Sequence, residues 1–185
     1  MRLRYLSILF IAVATIGVFS CIDQDSTIDA IFQRDMEAID EYLANNQLVN
    51  VKEYEDSRGF RIIWQEVSGS GVFAEPQDTV VANYTGKLLT NQVFDTSIEN
   101  VAKENGIFVD GRSYIPLKFR TGFGFVIAGF ELGLLNIELG DKATVIMPSE
   151  LGYGGNPPDG IPVNAPLIFE IELLDIKRSP IDNNN

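Results

Sequence analysis

Hydrophobic residues follow a helical period in one long early segment, from Ser26 to Asn46. They recur three or four residues apart and form one stripe, while Asp and Glu residues occupy the polar side. The stripe consists of Ile28, Ile31, Phe32, Met36, Ile39, Tyr42 and Leu43. An amphipathic helix of this kind packs either on its own domain or on a second copy of the chain. A single helix of this length favours the first arrangement, so we predict a monomer.

Later in the chain, short runs of β-branched and aromatic residues are separated by Gly, Asn and Asp, a pattern typical of β-strands. A capping-box spacing at Thr96 and Glu99 predicts a short helix from Ser97 to Asn105 between two of these runs. The predicted strands are Phe60–Val67, Thr79–Leu89, Val93–Thr96, Leu117–Arg120, Lys142–Pro148 and Leu167–Ile176.

The most apolar stretch covers residues 125–135. It turns at Ala128 and continues as a short helix, because Phe130, Leu134 and Ile137 lie three or four residues apart. Such a stretch forms either ordinary core or the floor of an apolar pocket. With the mostly antiparallel strands it predicts an α+β fold: a curved antiparallel β-sheet wrapped around a short α-helix, preceded by the N-terminal amphipathic helix.

Composition excludes several classes of function. The 185-residue chain has a formal net charge of −12, no His and one Cys. An acidic protein repels phosphate, which argues against nucleic-acid binding. A single Cys excludes an internal disulfide, and the lack of His removes the commonest general base and metal ligand. We therefore predict neither a metal nor a cofactor.

Residues 1–20 have the composition of a signal peptide, since Arg2 and Arg4 precede an apolar run too short to span a bilayer. Cys21 follows directly, in a context that resembles a bacterial lipoprotein processing site. We favour lipidation of Cys21 over a plain signal peptide, and expect an exported, membrane-anchored protein of the cell envelope. The remaining predicted segments are an acidic tether and helix (21–50), a leading strand and linker (51–78), a compact domain (79–178) and a disordered tail (179–185).

Six short motifs in the compact domain carry a resemblance. They are Tyr84-Thr85-Gly86, Phe94-Asp95-Thr96-Ser97, Val126-Ile127-Ala128-Gly129-Phe130-Glu131-Leu132-Gly133, Tyr153-Gly154, Ile161-Pro162 and Leu167-x-Phe169-x-Ile171-Glu172-Leu173-Leu174. In order and spacing they resemble the FKBP-type peptidyl-prolyl cis-trans isomerases, from about Thr79 to Lys177. The resemblance implies an FKBP-like sheet with an apolar pocket between sheet and helix, and proline-containing polypeptides as substrates.

The resemblance also assigns roles residue by residue. It implies that Asp95, Ile127, Phe130 and Tyr153 take part in catalysis. The substrate-binding residues that it implies are Tyr84, Phe94, Leu117, Phe119, Val126, Ile161 and Phe169. Phe130 stands where the family most often has a tryptophan, and Leu117 stands where many members have an aromatic residue. Taken singly, each aromatic residue is more simply explained as core, and only their joint spacing favours a pocket.

An apolar pocket could catalyse this reaction without a nucleophile. Rotation about an X–Pro bond removes the amide resonance and makes the carbonyl less polar, so a dry aromatic pocket favours the twisted state. We therefore predict an isomerase that assists the folding of exported proteins. One alternative is a non-catalytic chaperone or assembly module that binds proline peptides in the same pocket. Another is a catalytically idle structural lipoprotein with no pocket.

Overall fold

The computed structural model describes residues 24–179, which form three α-helices, seven β-strands and a short 3₁₀ turn, Ser149–Leu151. The predicted signal peptide, Cys21 and residues 180–185 lie outside the described residues. The helices are α1 (Gln24–Asn45), α2 (Glu99–Glu104) and α3 (Ala128–Asn136). The strands are β1 (Lys52–Glu55), β2 (Arg61–Glu66), β3 (Thr79–Leu88), β4 (Val93–Thr96), β5 (Leu117–Arg120), β6 (Lys142–Met147) and β7 (Leu167–Lys177).

All strands belong to one antiparallel sheet with the order β1-β2-β6-β7-β3-β4. Strand β3 pairs with β7 along its whole length, from Thr79 opposite Lys177 to Leu88 opposite Leu167. Its other edge is shared, because β5 pairs with its first half and β4 with its second half. The predicted α+β fold with an antiparallel sheet and short helices is confirmed.

Helix α3 packs on the inner face of the sheet and forms the main core with it. Two glycines bring the helix close: a Cβ at Gly133 would lie 2.7 Å from Cγ2 of Val145 on β6, and one at Gly129 would meet the Met147 side chain. Leu134 and Ile137 are fully buried at this interface. The short helix predicted to continue from Ala128 is therefore both present and buried.

Helix α1 covers the opposite face of the same strands. Side chains on successive residues of a strand point to opposite faces, so Ile63, Ile146 and Ile168 face away from α3. These three isoleucines form a second cluster with Ile39 and Tyr42 of α1. Strands β2, β6 and β7 are thus apolar on both faces, and the domain has three layers: α1, sheet and α3. The amphipathic helix packs on its own chain, as the sequence analysis favoured.

Two local features differ from the sequence prediction. Strand β1 is absent from the predicted strands; its four side chains are exposed, and its backbone pairs with β2. The capping box at Thr96 was wrong: α2 begins at Glu99, and no side chain caps it. The Thr96 hydroxyl donates instead to the Tyr84 carbonyl, at 2.8 Å, and joins β4 to β3.

Within residues 24–179 no helix is both long and apolar enough to span a bilayer.

Candidate active site

A cavity of about 370 Å³ lies between the N-terminal end of α3 and strands β3, β4, β5 and β7. All but two of the predicted pocket residues line it. These are Tyr84, Phe94, Asp95, Leu117, Val126, Ile127, Phe130, Tyr153 and Phe169, joined by Gly124 and Phe125. The two predicted residues outside the lining are Phe119 and Ile161, which are buried in the adjoining core. The volume of the cavity is within the range of small-ligand sites.

The floor of the cavity consists of aromatic rings packed edge to face. Phe130 is 3% exposed, and its ring centroid lies 5.1 Å from that of Phe169 and 5.6 Å from that of Tyr84. Phe94 contacts Phe169 from the other side at 5.7 Å. Phe119 packs behind Phe130 at 6.4 Å, which is why it supports the floor without lining it. Edge-to-face pairs of this kind hold ring orientations that a loose apolar cluster would not.

A glycine in β3 allows these rings to meet. Gly86 lies opposite Phe169 on β7 and opposite Asp95 on β4. A Cβ on Gly86 would approach the Phe94 ring to 2.6 Å and the Phe169 ring to 2.9 Å, closer than real Cβ contacts. Any larger residue at this position would therefore push the two rings apart and change the shape of the cavity.

One side of the cavity is polar, and Asp95 organises it. The Tyr84 hydroxyl donates to one carboxylate oxygen of Asp95 at 2.6 Å, and Arg112 donates to the other at 2.6 Å. Arg112 also donates to the Thr96 carbonyl and lies over the ring of Tyr114. Burial and the Asp95 carboxylate raise the pKa of Tyr84 above its ordinary value. Tyr84 therefore stays protonated at neutral pH and remains a donor.

Among the cavity-lining residues, Ile127 and Tyr153 each carry a hydrogen-bond donor for which residues 24–179 offer no acceptor. One is the backbone N–H of Ile127, the residue that precedes α3; its carbonyl accepts from the Phe130 and Glu131 N–H groups. The other is the hydroxyl of Tyr153, whose pKa is raised by burial and by the charge of Asp95. Both donors are available to carbonyl oxygens of a bound peptide.

Arg112, Gly124 and Phe125 were missed by the sequence analysis. Arg112 lies in the long connection between α2 and β5, which contains no helix or strand and so has no sequence pattern that predicts its path. Phe125 is 68% exposed at the cavity mouth and is the first residue of the apolar stretch 125–135. Among the described residues, no three His, Cys, Asp or Glu side chains converge to hold a metal ion.

Comparisons with known proteins point to one family. Residues 71–174 match the family described as FKBP-type peptidyl-prolyl cis-trans isomerase. The FKBP-type peptidyl-prolyl cis-trans isomerase FkpA of Escherichia coli K12 is 38% identical over 120 residues, which is 64% of this chain and 39% of that protein. FK506-binding protein 2 of Candida glabrata is 42% identical over 108 residues, which is 57% of this chain and 70% of that protein.

A solved structure agrees with the sequence matches. The crystal structure of FkpA from Escherichia coli is similar with a TM-score of 0.59 at 29% sequence identity, over 84% of this chain and 65% of that one. The chain spans about two fifths of the length of FkpA. Residues 71–174, which match the family, contain strands β3 to β6, helix α3 and every residue that lines the cavity.

Proposed function

Because the chain belongs to the FKBP-type peptidyl-prolyl cis-trans isomerases, we propose that its cavity binds X–Pro segments and catalyses rotation about the bond that precedes proline. The observation that carries this proposal is the aromatic floor next to two donors without an acceptor among the described residues. The floor suits a pyrrolidine ring, and the donors suit the carbonyls on either side of it. The substrates are proline-containing polypeptides.

The uncatalysed rotation faces a barrier of about 18–20 kcal/mol, because twisting the bond removes its resonance. In the twisted state the carbonyl is less polar and the nitrogen is more like an amine. An apolar site therefore costs the twisted state less solvation than it costs the planar one. The rings proposed to hold the proline are those of Tyr84, Phe94, Phe130 and Phe169.

The two donors would select the twisted geometry. The Ile127 N–H and the Tyr153 hydroxyl are proposed to hydrogen-bond carbonyl oxygens of the substrate and so fix the chain on both sides of the rotating bond. Holding both ends while the bond turns lowers the entropy that must be lost to reach the transition state.

Asp95 is proposed to orient Tyr84. The sequence analysis left open whether it would instead contact the strained carbonyl. Orientation is favoured because Tyr84 and Arg112 each occupy one of its carboxylate oxygens. The charge of Arg112 balances the carboxylate and keeps the rest of the cavity apolar.

The test is a cis/trans isomerisation assay on a proline tetrapeptide with the 185-residue chain. We expect activity in the wild type, a loss in Tyr153→Phe and Asp95→Ala, and wild-type activity in Tyr54→Phe, since Tyr54 lies on exposed β1. Peptide binding detected by NMR without any turnover would support the non-catalytic chaperone instead. If the peptide neither binds nor is isomerised, both proposed functions of the cavity are refuted.

We also propose that the protein is exported, anchored through lipid on Cys21, and assists the folding of exported proteins. Support comes from the sequence alone, with a basic start, an apolar run and the single cysteine of the chain directly after it. Metabolic labelling with an alkyne fatty acid should mark the wild type and fail to mark Cys21→Ser, which should also leave the membrane fraction. Equal labelling of both proteins would contradict lipidation at this residue. The predicted monomer can be checked by sedimentation of the unlipidated protein.

A further inference from the structure

Helix α1 lies outside the matched family segment, yet it contacts the segment that carries Tyr153. That segment, residues 149–164, joins β6 to β7 through a 3₁₀ turn and a series of loops. It is not part of the sheet, so other contacts must hold Tyr153 at the cavity.

Asp35 of α1 makes the strongest of these contacts. Its side chain is 1% exposed, and one carboxylate oxygen accepts from the Ser149 backbone N–H at 2.9 Å and from the Ser149 hydroxyl at 2.5 Å. Arg34 donates to the other oxygen at 2.7 Å. A buried carboxylate that lost these donors would be strongly destabilised, so the contact stays closed in the folded protein.

The same pair of α1 residues reaches the far end of the segment. Arg34 donates to the Asn164 carbonyl at 2.7 Å, and the Asn164 N–H donates to the Gly154 carbonyl at 2.8 Å. The Gly154 N–H in turn donates to the Ser149 carbonyl at 2.9 Å. These bonds close a ring that runs from Asp35 through Ser149, Gly154 and Asn164 back to Arg34. Tyr153 precedes one member of this ring directly.

Apolar packing between α1 and this segment is incomplete. A space of about 210 Å³ separates Ile28, Ile31 and Phe32 of α1 from Pro148, Glu150 and Gly154. The contact between α1 and the segment is therefore made by the polar ring more than by side-chain packing, while Leu151, Tyr153 and Ile161 of the segment pack against the main core.

We propose that Asp35 is a positioning residue for Tyr153, so that α1 sets the geometry of a cavity to which it contributes no lining residue. The proposal rests on the function proposed above. It predicts that a change in α1 alters turnover through the Tyr153 hydroxyl and through no other group of the cavity.

The test is a double-mutant cycle on kcat/KM. Removal of one substrate hydrogen bond in Tyr153→Phe should lower kcat/KM about fivefold. Asp35→Ala should lower it to a similar extent, and the double variant should be no worse than the poorer single variant. Asp35→Asn keeps one acceptor oxygen and should fall between Asp35→Ala and the wild type. Asp40→Ala is the matched control, because Asp40 also lies on α1 but pairs with Arg61 of β2 at 2.6 Å.

Multiplicative losses in the double variant would overturn the proposal, as would an equal loss in Asp40→Ala. Amide hydrogen exchange supplies a readout that needs no turnover. The Gly152 and Gly154 N–H groups both donate to the Ser149 carbonyl, and we expect their exchange to accelerate at least tenfold in Asp35→Ala and not in Asp40→Ala. If the wild type shows no isomerase activity, the proposed function fails, and the hydrogen-exchange measurement still tests whether Asp35 holds the ring of hydrogen bonds. Unchanged exchange in Asp35→Ala, or faster exchange with unchanged kcat/KM in an active protein, refutes the positioning role.

Discussion

Replacing Gly133 by alanine should destabilise the fold by about 1 kcal/mol, although alanine is the better helix former. Gly133 lies inside α3 and faces β6. A Cβ at this position would lie 2.7 Å from Cγ2 of Val145 and 3.5 Å from Cδ1 of Ile171. The first distance is about 0.7 Å shorter than ordinary contact at 3.4 Å.

Two opposing terms set the size of the effect. Alanine in a helix interior is favoured over glycine by about 1 kcal/mol. Forcing an extra methyl into a packed core costs about 1–3 kcal/mol, and here it meets a β-branched side chain that has little freedom to turn away. The packing term wins, and α3 must also move away from β6. Since α3 carries Phe130 and follows Ile127, we expect kcat/KM to fall together with stability.

The assay is urea unfolding followed by the fluorescence of Trp64, the single tryptophan, which is 2% exposed. In a Val145→Ala background the clash is gone, so Gly133→Ala should become stabilising by about 1 kcal/mol. Gly129→Ala is the matched control on the same helix face, because its Cβ would meet the flexible thioether of Met147 and should cost less. A Gly133→Ala protein as stable as the wild type, or no change of sign beside Val145→Ala, would refute the close-approach argument.

Three further predictions concern charged and polar groups. The raised pKa of Tyr84 contributes stability that is fully present below about pH 10 and is lost as the pH rises through the folded-state pKa. Tyr84→Phe should therefore make the free energy of unfolding fall less steeply at alkaline pH. An unchanged alkaline slope would contradict this. Burial alone would raise the pKa of Asp141, but hydrogen bonds from Trp64 and two backbone N–H groups outweigh burial and lower the pKa. The stability that the ionised Asp141 carboxylate contributes is therefore lost as the pH falls below about 4. Asp141→Ala should cost about 3 kcal/mol at pH 7 and weaken this acid sensitivity, measured by Trp64 fluorescence, and a cost below about 1 kcal/mol would be inconsistent with it. Arg112→Gln should change stability by no more than about 1 kcal/mol, because its bond to Asp95 is partly exposed, yet lower kcat/KM several-fold; full activity would argue against its role.

Most of the cavity lining could be predicted because it lies in sequence motifs whose order the fold preserves. Tyr84 lies on β3, and Phe94 and Phe169 lie on β4 and β7, the two strands that pair with β3, so strand pairing brings the three rings to one part of the sheet. Arg112 could not be predicted in this way, since it lies in an irregular connection whose path depends on the bond to Asp95 itself. The family resemblance placed Phe119 in the lining, whereas in the structure it packs behind Phe130, because matching the positions of a family does not show what covers a side chain.

The fold shows the same division between pattern and context. Strand β1 has no apolar alternation, because all four of its side chains face solvent, and so its pairing with β2 left no signal in the sequence. The capping box at Thr96 failed because α2 begins at Glu99, so the Thr96 hydroxyl, which donates to the Tyr84 carbonyl, accepts from the N–H of Ile98 and from no N–H within the helix. Helix α1 could be predicted because its apolar stripe is wide. The stripe is wide because the helix packs on the apolar outer face of the sheet.

The packing of α1 on the outer face of the sheet limits how the domain can be truncated. A fragment restricted to the matched residues 71–174 would lack β2, which leaves β6 as an unpaired border, and would lack α1, which leaves Ile146 and Ile168 bare. Exposed strand borders and aliphatic patches both promote self-association. The smallest fragment suited to fusion with another protein therefore begins at α1, well before the residues 71–174 that match the family.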